Sequence, residues 1–235
     1  MEDHVVRGLT IVAIAVCGGT LTIIAALLWR GHLRRLRKTG WEAFEQEDYK
    51  AAERRLLAAL RVAKSYGAES AAMAEALFDL AVFYDARERP EEAAAICERA
   101  VASAEGAADA RDPLTIAART LLARLYYGLE RLPAAENTCR RVLEDAFATH
   151  GENESKTAEI VWLLGNILLA RGGREDGAVL FGQALDIWEG DFEQDPEELA
   201  RRFGDYADFL RKLGNADEAD RAASRAANLL SRSVN

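Results

Sequence analysis

Residues that commonly carry chemistry are few and scattered in this 235-residue chain. The acidic pairs Glu91-Glu92 and Glu197-Glu198 stand at the starts of predicted helices, where negative charge interacts favourably with the helix dipole. The three histidines share no metal-binding spacing with cysteines or carboxylates. They are His4, His32 and His150. The sequence therefore predicts no catalytic residues, no metal site and no cofactor.

A glycine pair and the cysteines also have structural explanations. The segment 171–174, Arg-Gly-Gly-Arg, is the nearest approach to a phosphate-binding loop, but it falls at a predicted turn between two helices. Cys97 and Cys139 occupy the same position of successive repeats, where a small apolar residue packs. Equivalent positions of stacked repeats lie about 10 Å apart, which is too far for a disulfide. Together with Cys17 they make three cysteines that are expected to be unpaired, which is typical of a reducing compartment. We predict that the protein is not an enzyme and has no small-molecule substrate.

The elements that position these residues follow a repeat of about 42 residues. Five small residues mark the repeat: Ala52, Ala93, Ala135, Gly177 and Ala219. Seven residues later come Ala59, Ala100, Val142, Ala184 and Ala226. An alanine or glycine at these points lets two antiparallel helices cross closely. A period of this length indicates an array in which no unit buries its apolar face alone.

Each unit is predicted to be two amphipathic helices joined by a tight turn. The clearest first helix carries Leu77, Leu80, Ala81 and Tyr84, one apolar stripe with helical spacing. Asp112-Pro113 and Asp195-Pro196 supply a capping carboxylate followed by proline at the first helical position, and Ser70 is a further predicted cap.

The residues Leu77 to Tyr84, Pro90 to Ala93 and Cys97 to Ala100 resemble a tetratricopeptide repeat. The 42-residue period and the polar segment 150–157 resemble the subclass found in kinesin light chains. The resemblance implies an all-α solenoid of five units after the amino-terminal segment, with Gly177 departing from the usual alanine in the fourth. The units lie near 33–69, 70–111, 112–153, 154–195 and 196–235.

The resemblance also implies that the first helices line a concave, protein-binding groove. Its predicted residues are Phe78, Val82, Leu121, Arg124, Tyr127, Trp162, Leu163 and Asn166. Further inner positions are Asp85, Leu169, Arg201, Asp205 and Asp208. Phe78 and Trp162 could instead pack between helices, and both alternatives stay open. The carboxylate clamp of the chaperone-binding type is not expected, since its positions hold Arg37, Trp41, Asp79, Ala117 and Leu121.

The segment 9–29 is an uncharged apolar run of 21 residues, about 30 Å as a helix and enough to span a bilayer core. We predict a transmembrane helix, with a cleaved signal peptide, a lipoprotein anchor or a buried core helix as alternatives. The basic segment 30–38 follows it, so the amino-terminal residues 1–8 are expected outside and the repeats in the cytoplasm or organellar matrix. Small residues in the helix could contact a partner helix. They are Ala15, Gly18, Gly19 and Thr22.

Charge and architecture together predict a protein-binding role. The formal net charge is −9, and this acidic balance argues against a nucleic-acid partner. We expect a single-pass protein of a bacterial cytoplasmic or organellar inner membrane, contacting the bilayer through its amino-terminal helix. Its predicted function is a scaffold, accessory subunit or assembly factor that binds proteins of a membrane complex. The alternative is a membrane-tethered adaptor or co-chaperone that captures peptides.

Overall fold

The protein is all-α over the part of the chain that its structure, a computed structural model, describes: residues 30–107, 112–150, 155–190 and 195–233. The predicted transmembrane helix 9–29, with Ala15, Gly18, Gly19 and Thr22, lies outside these residues, as does the segment 1–8. Within the described ranges, no helix has both the length and the apolar character needed to cross a bilayer.

Ten helices of the described chain form five hairpins. The first, α1, covers residues 30–45. The others are α2 (Tyr49–Ala63), α3 (Ala71–Ala86), α4 (Pro90–Ala107), α5 (Pro113–Gly128), α6 (Leu132–His150), α7 (Ser155–Ala170), α8 (Arg174–Glu189), α9 (Pro196–Lys212) and α10 (Ala216–Ser233). A short 3₁₀ turn, Lys64–Tyr66, follows α2. Each hairpin packs on the next, which gives the solenoid expected from the sequence.

All five hairpins close through the same turn. In each hairpin, one residue of the turn adopts the left-handed backbone conformation, with φ between 55° and 92°. These residues are Glu47, Glu88, Glu130, Gly172 and Gly214. The next amide always donates to a carbonyl five residues back, as from Arg89 to Tyr84 at 3.0 Å and from Gly173 to Leu168 at 2.9 Å. The glycine pair of 171–174 is therefore part of a helix-terminating turn, as predicted.

The predicted helix caps are present. Asp112 and Asp195 accept hydrogen bonds from the amides of Leu114 at 2.9 Å and Glu197 at 3.0 Å. Ser70 accepts one from Met73 at 3.1 Å. Because each cap fixes where a first helix begins, these residues set the phase of three hairpins.

The small residues predicted at the helix crossings are buried. Ala93 and Ala135 have no exposed surface. In the fourth hairpin the crossing is closer still, because a Cβ on Gly177 would lie 3.1 Å from the carbonyl oxygen of Gly165. A Cβ on Gly165 would lie 2.8 Å from the Phe181 ring. The departure from alanine at Gly177 is thus matched by a second glycine opposite it.

Polar side chains link successive hairpins. The hydroxyl of Tyr84 donates to Glu53 at 2.9 Å, and that of Tyr126 donates to Glu98 at the same distance. Arg119 is a further polar link between hairpins, and only 4 % of its surface is exposed. Its guanidinium donates to Glu105 of α4 at 2.6 and 3.0 Å and to Asp145 of α6. This arginine joins three helices, and the repeat pattern did not predict it.

We expect the glycine contact in the fourth hairpin to be sensitive to a single methyl group. Gly165→Ala should destabilise the fold by about 1–3 kcal/mol, because the added carbon overlaps the Phe181 ring. Gly204→Ala is the matched control, since nothing lies within 4 Å of its added carbon in the middle of α9. It should stabilise by about 0.5–1 kcal/mol. Urea denaturation of the variants measures both effects, and equal midpoints would refute the close crossing.

We expect stability to fall at alkaline pH through three tyrosines, of which two are buried and Tyr126 is half-buried. Burial, followed by the neighbouring carboxylates, raises the pKa of Tyr84, Tyr126 and Tyr206 to about 12. Because the pKa is higher in the folded than in the unfolded chain, the neutral tyrosines contribute stability that is fully present below the unfolded pKa of about 10. This contribution is lost as the pH rises toward 12. Replacing all three by Phe should flatten the dependence of the denaturation midpoint on pH in this window. An unchanged slope would contradict the assignment.

Candidate protein-binding groove

Two adjoining hollows lie on the face formed by the first helices. The first has a volume of about 430 Å³ and is bounded by α3, α5 and α7. Its apolar wall consists of Phe78, Val82, Ile116, Ala117, Leu121 and Ile160, and its polar lining includes Thr120, Arg124, Lys156 and Glu159. Such a hollow is large enough to take bulky apolar side chains of a ligand.

The second hollow, of about 480 Å³, continues toward α9 and is more polar. It shares Thr120, Arg124 and Glu159 with the first, so the two form one groove. Its remaining lining is Trp162, Leu163, Asn166, Trp188, Glu198, Arg201, Arg202 and Asp205. The groove therefore runs from an apolar end at α3 to a charged end at α9.

Most of the residues predicted for the groove lie along it. Phe78, Val82, Leu121 and Arg124 line the first hollow. Trp162, Leu163 and Asn166 line the second, where Arg124 lies at the junction. Four predicted residues, Tyr127, Asp85, Leu169 and Asp208, line neither hollow. Tyr127 packs, half-buried, against the cluster around Ala135 and Cys139. It falls in the last turn of α5, which faces the packing contact within the hairpin and not the groove.

Other groove residues were not predicted, although their spacing carries a signal. On α5, positions 113, 117, 120 and 124 recur at intervals of four, three and four, which is one helical stripe. On α7, Lys156 and Glu159 stand seven residues before Leu163 and Asn166 on the same stripe. Extending the predicted inner positions by two turns toward the start of each helix would have found both sets.

Ion pairs hold most charged groups of the groove. Arg124 pairs with Asp85 at 2.8 Å. Glu198 accepts from Arg201 at 2.7 Å and from Arg202 at 3.0 Å, and the hydrogen bonds from these two cations lower its pKa. Lys156 has no carboxylate partner among the described residues. The apolar end thus has an exposed cation beside it that remains available to a ligand.

Trp162 has both of the roles that the sequence left open. It lines the second hollow, but its ring also stacks on Phe181 at 4.5 Å and on Trp188 at 5.6 Å between centroids. Phe78 likewise lines the first hollow while packing on the core of the first two hairpins. These aromatic walls are rigid because the core holds them from behind.

Cys97 and Cys139 lie behind the groove and serve packing. The Cys97 thiol is 3.2 Å from the carbonyl oxygen of Ala118, and the Cys139 thiol is 3.5 Å from that of Ile160. Burial raises the pKa of both thiols to about 12, so neither is a reactive thiolate. Across the described ranges, no group of three or more His, Cys, Asp or Glu is placed to hold a metal ion.

Comparison with known proteins agrees with this architecture. Residues 73–146 match the tetratricopeptide repeat family model. The fold is a tetratricopeptide-repeat solenoid. BtubC from P. vanneervenii has 18 % sequence identity and a TM-score of 0.73, with 88 % of this chain and 89 % of that chain covered. None of the curated proteins compared matches the sequence.

Two further structures have the same fold. A kinesin light chain-like protein of nearly identical TPR-like repeats from Podosopora anserina has 17 % identity and a TM-score of 0.70, covering 86 % of this chain and 96 % of that one. MamA from Desulfovibrio magneticus RS-1 has 14 % identity and a TM-score of 0.61, with the same coverages. Tetratricopeptide repeats generally act as non-enzymatic scaffolds that bind other proteins.

We expect the aromatic wall to contribute to stability as well as to the groove. Trp162→Ala should destabilise by about 2 kcal/mol or more, because it removes the stack on Phe181 and Trp188. Asn166→Ala, one turn later in the same hollow, removes only a hydrogen bond to the Trp162 carbonyl and should cost less than about 1 kcal/mol. Denaturation of both variants checks this order, and equal losses would contradict it.

Proposed function

We propose that the groove binds an apolar segment of another protein, and that the chain acts in this way as an accessory subunit or assembly factor of a membrane complex. The observation that carries the proposal is the apolar hollow between α3, α5 and α7, which opens from the face that repeat solenoids use for partners. The apolar walls stabilise a buried side chain, and the charged second hollow fixes its direction.

The chemistry of the lining defines the segment that fits. Large apolar side chains of a helix or an extended strand would fill the first hollow, against Val82 and Ile116. An acidic residue next to them would pair with Lys156. The predicted membrane helix at 9–29 supports placing this partner at a membrane, since a shared tether raises the effective concentration of the two proteins.

A variant that fills the hollow tests the proposal without removing core atoms. Ala117 is half-buried on the wall, and Ala117→Arg would occupy the hollow. Ala95→Arg is the matched control, because Ala95 is exposed on α4 and lies outside both hollows. We expect Ala117→Arg to lose, and Ala95→Arg to retain, a stoichiometric partner when the full chain is purified from membranes in mild detergent.

Circular dichroism should show equal helix content in both variants. If Ala117→Arg retains the partner at the level of Ala95→Arg, the groove is not the binding site. If the unchanged chain instead carries many peptides in small amounts, each lost from Ala117→Arg, the groove serves an adaptor or co-chaperone and the accessory-subunit role is wrong.

A further inference from the structure

The first hairpin differs in charge from the rest of the solenoid. Residues 30–66 contain ten Lys and Arg side chains against five Asp and Glu, whereas residues 67–235 contain nineteen against thirty-two. The net charges are therefore +5 and −13. The basic segment 30–38 accounts for half of these cations, and the other half lies on α2 and at Lys64, the residue that follows it.

The cations of α2 form one exposed stripe. Lys50, Arg54, Arg61 and Lys64 are all exposed, and Leu57, at 36 % exposure, stands in the middle of them. Counted from Lys50, the other four residues follow at spacings of four, seven, eleven and fourteen. These spacings place all five side chains within about 80° of the helix circumference and along about 21 Å of its length. A single apolar residue in a basic stripe is the pattern of a helix that lies on a charged, partly apolar surface.

These cations are not used inside the fold. Among the described residues, Lys50, Arg54, Arg61 and Lys64 have no carboxylate partner, and neither do Arg30, Arg34 and Arg35 on α1. By contrast, Arg37 is paired with Glu75 and Asp79 of α3. The seven free cations therefore remain available to an external anionic surface.

The packing register brings five of the seven free cations, Arg30, Arg34, Arg35, Arg61 and Lys64, to one end of the hairpin. Arg55 donates to the carbonyl of Thr39 at 2.8 Å, and a Cβ on Gly40 would lie 2.9 Å from Leu56. Because the two helices are antiparallel, this register places Arg61 and Lys64 beside the start of α1. That is the point where the chain comes from the apolar segment 9–29.

We propose that the outer face of α2, Lys50, Arg54, Leu57, Arg61 and Lys64, binds an anionic lipid surface and holds the first hairpin against the membrane. Charge complementarity with phosphate headgroups and the neighbouring apolar segment support this occupant. The acidic hairpins that follow are repelled by the same surface, so they project away from it and leave the groove open. The inference does not depend on the groove binding a partner.

Fluorescence of the full chain tests the proposal without any partner protein. An environment-sensitive dye is attached through Leu57→Cys in a Cys17→Ser background, since Cys97 and Cys139 are buried. A second sample carries the dye through Val179→Cys, an exposed position on α8. Both are mixed with vesicles of phosphatidylcholine alone, or with one quarter phosphatidylglycerol, that contain a headgroup-linked quencher.

We expect quenching of the Leu57 dye by anionic vesicles only, with its loss in high salt, and none of the Val179 dye with either vesicle. The triple variant Arg54→Glu, Arg61→Glu and Lys64→Glu should abolish the quenching. Replacing the same residues with Gln should weaken it, with helix content unchanged in both. Equal quenching by neutral vesicles would mean that segment 9–29 alone brings α2 to the bilayer, and would overturn the proposal.

Two further results would assign the stripe to another partner. A short DNA duplex, at equal phosphate concentration, could compete with the anionic vesicles. If it abolished quenching of the dye at position 57, the stripe would be a general polyanion site and lipid would be refuted as its ligand. A concentration-dependent change of the same dye in detergent, without lipid, would assign the stripe to the acidic surface of a second copy of the chain. Persistence of the vesicle signal in the presence of DNA, together with no concentration-dependent change in detergent, would support the lipid assignment.

Discussion

The close crossing of two helices in every hairpin is the contact on which the rest of the structure depends. Ala93 and Ala135 keep the two axes together because no side chain longer than a methyl group stands between them. Gly165 and Gly177 allow an even shorter approach. The identical turns then fix how each second helix returns along the first. With crossing and turn repeated about every 42 residues, the hairpins stack with one curvature, and their first helices share one face.

The groove results from this stacking and adds little of its own to the stability of the fold. Its apolar end is the outer side of core residues, such as Phe78, that the hairpins already hold. Its polar end is organised by ion pairs between neighbouring turns, such as Arg201 with Glu198. A partner therefore meets a surface that is rigid before binding, which reduces the entropy lost on association.

Among the described residues few charged side chains are buried, and the most buried cation, Arg119, joins the second hairpin to the third. Arg119 lies between α4, α5 and α6, with two carboxylates satisfying its guanidinium. Removing both carboxylates would leave an uncompensated charge inside the protein, which costs more than the pairs contribute. Such a network fixes the relative position of the hairpins, whereas the alanine crossings fix the geometry inside each one. Stability and register thus have different chemical origins in the same solenoid.

The sequence by itself determined the local parts of the protein: all-α hairpins, their caps at Asp112 and Asp195, the small residues at the crossings and several of the groove-lining positions. These follow from periodicity and capping, which act over short distances along the chain. The tertiary structure decided what depends on distant residues. It placed Tyr127 outside the groove, gave Trp162 a role in both wall and core, and buried Arg119 between carboxylates from two other helices. Helical period tells which residues share a face, but only the packed neighbours determine whether that face is covered, paired or open to a partner.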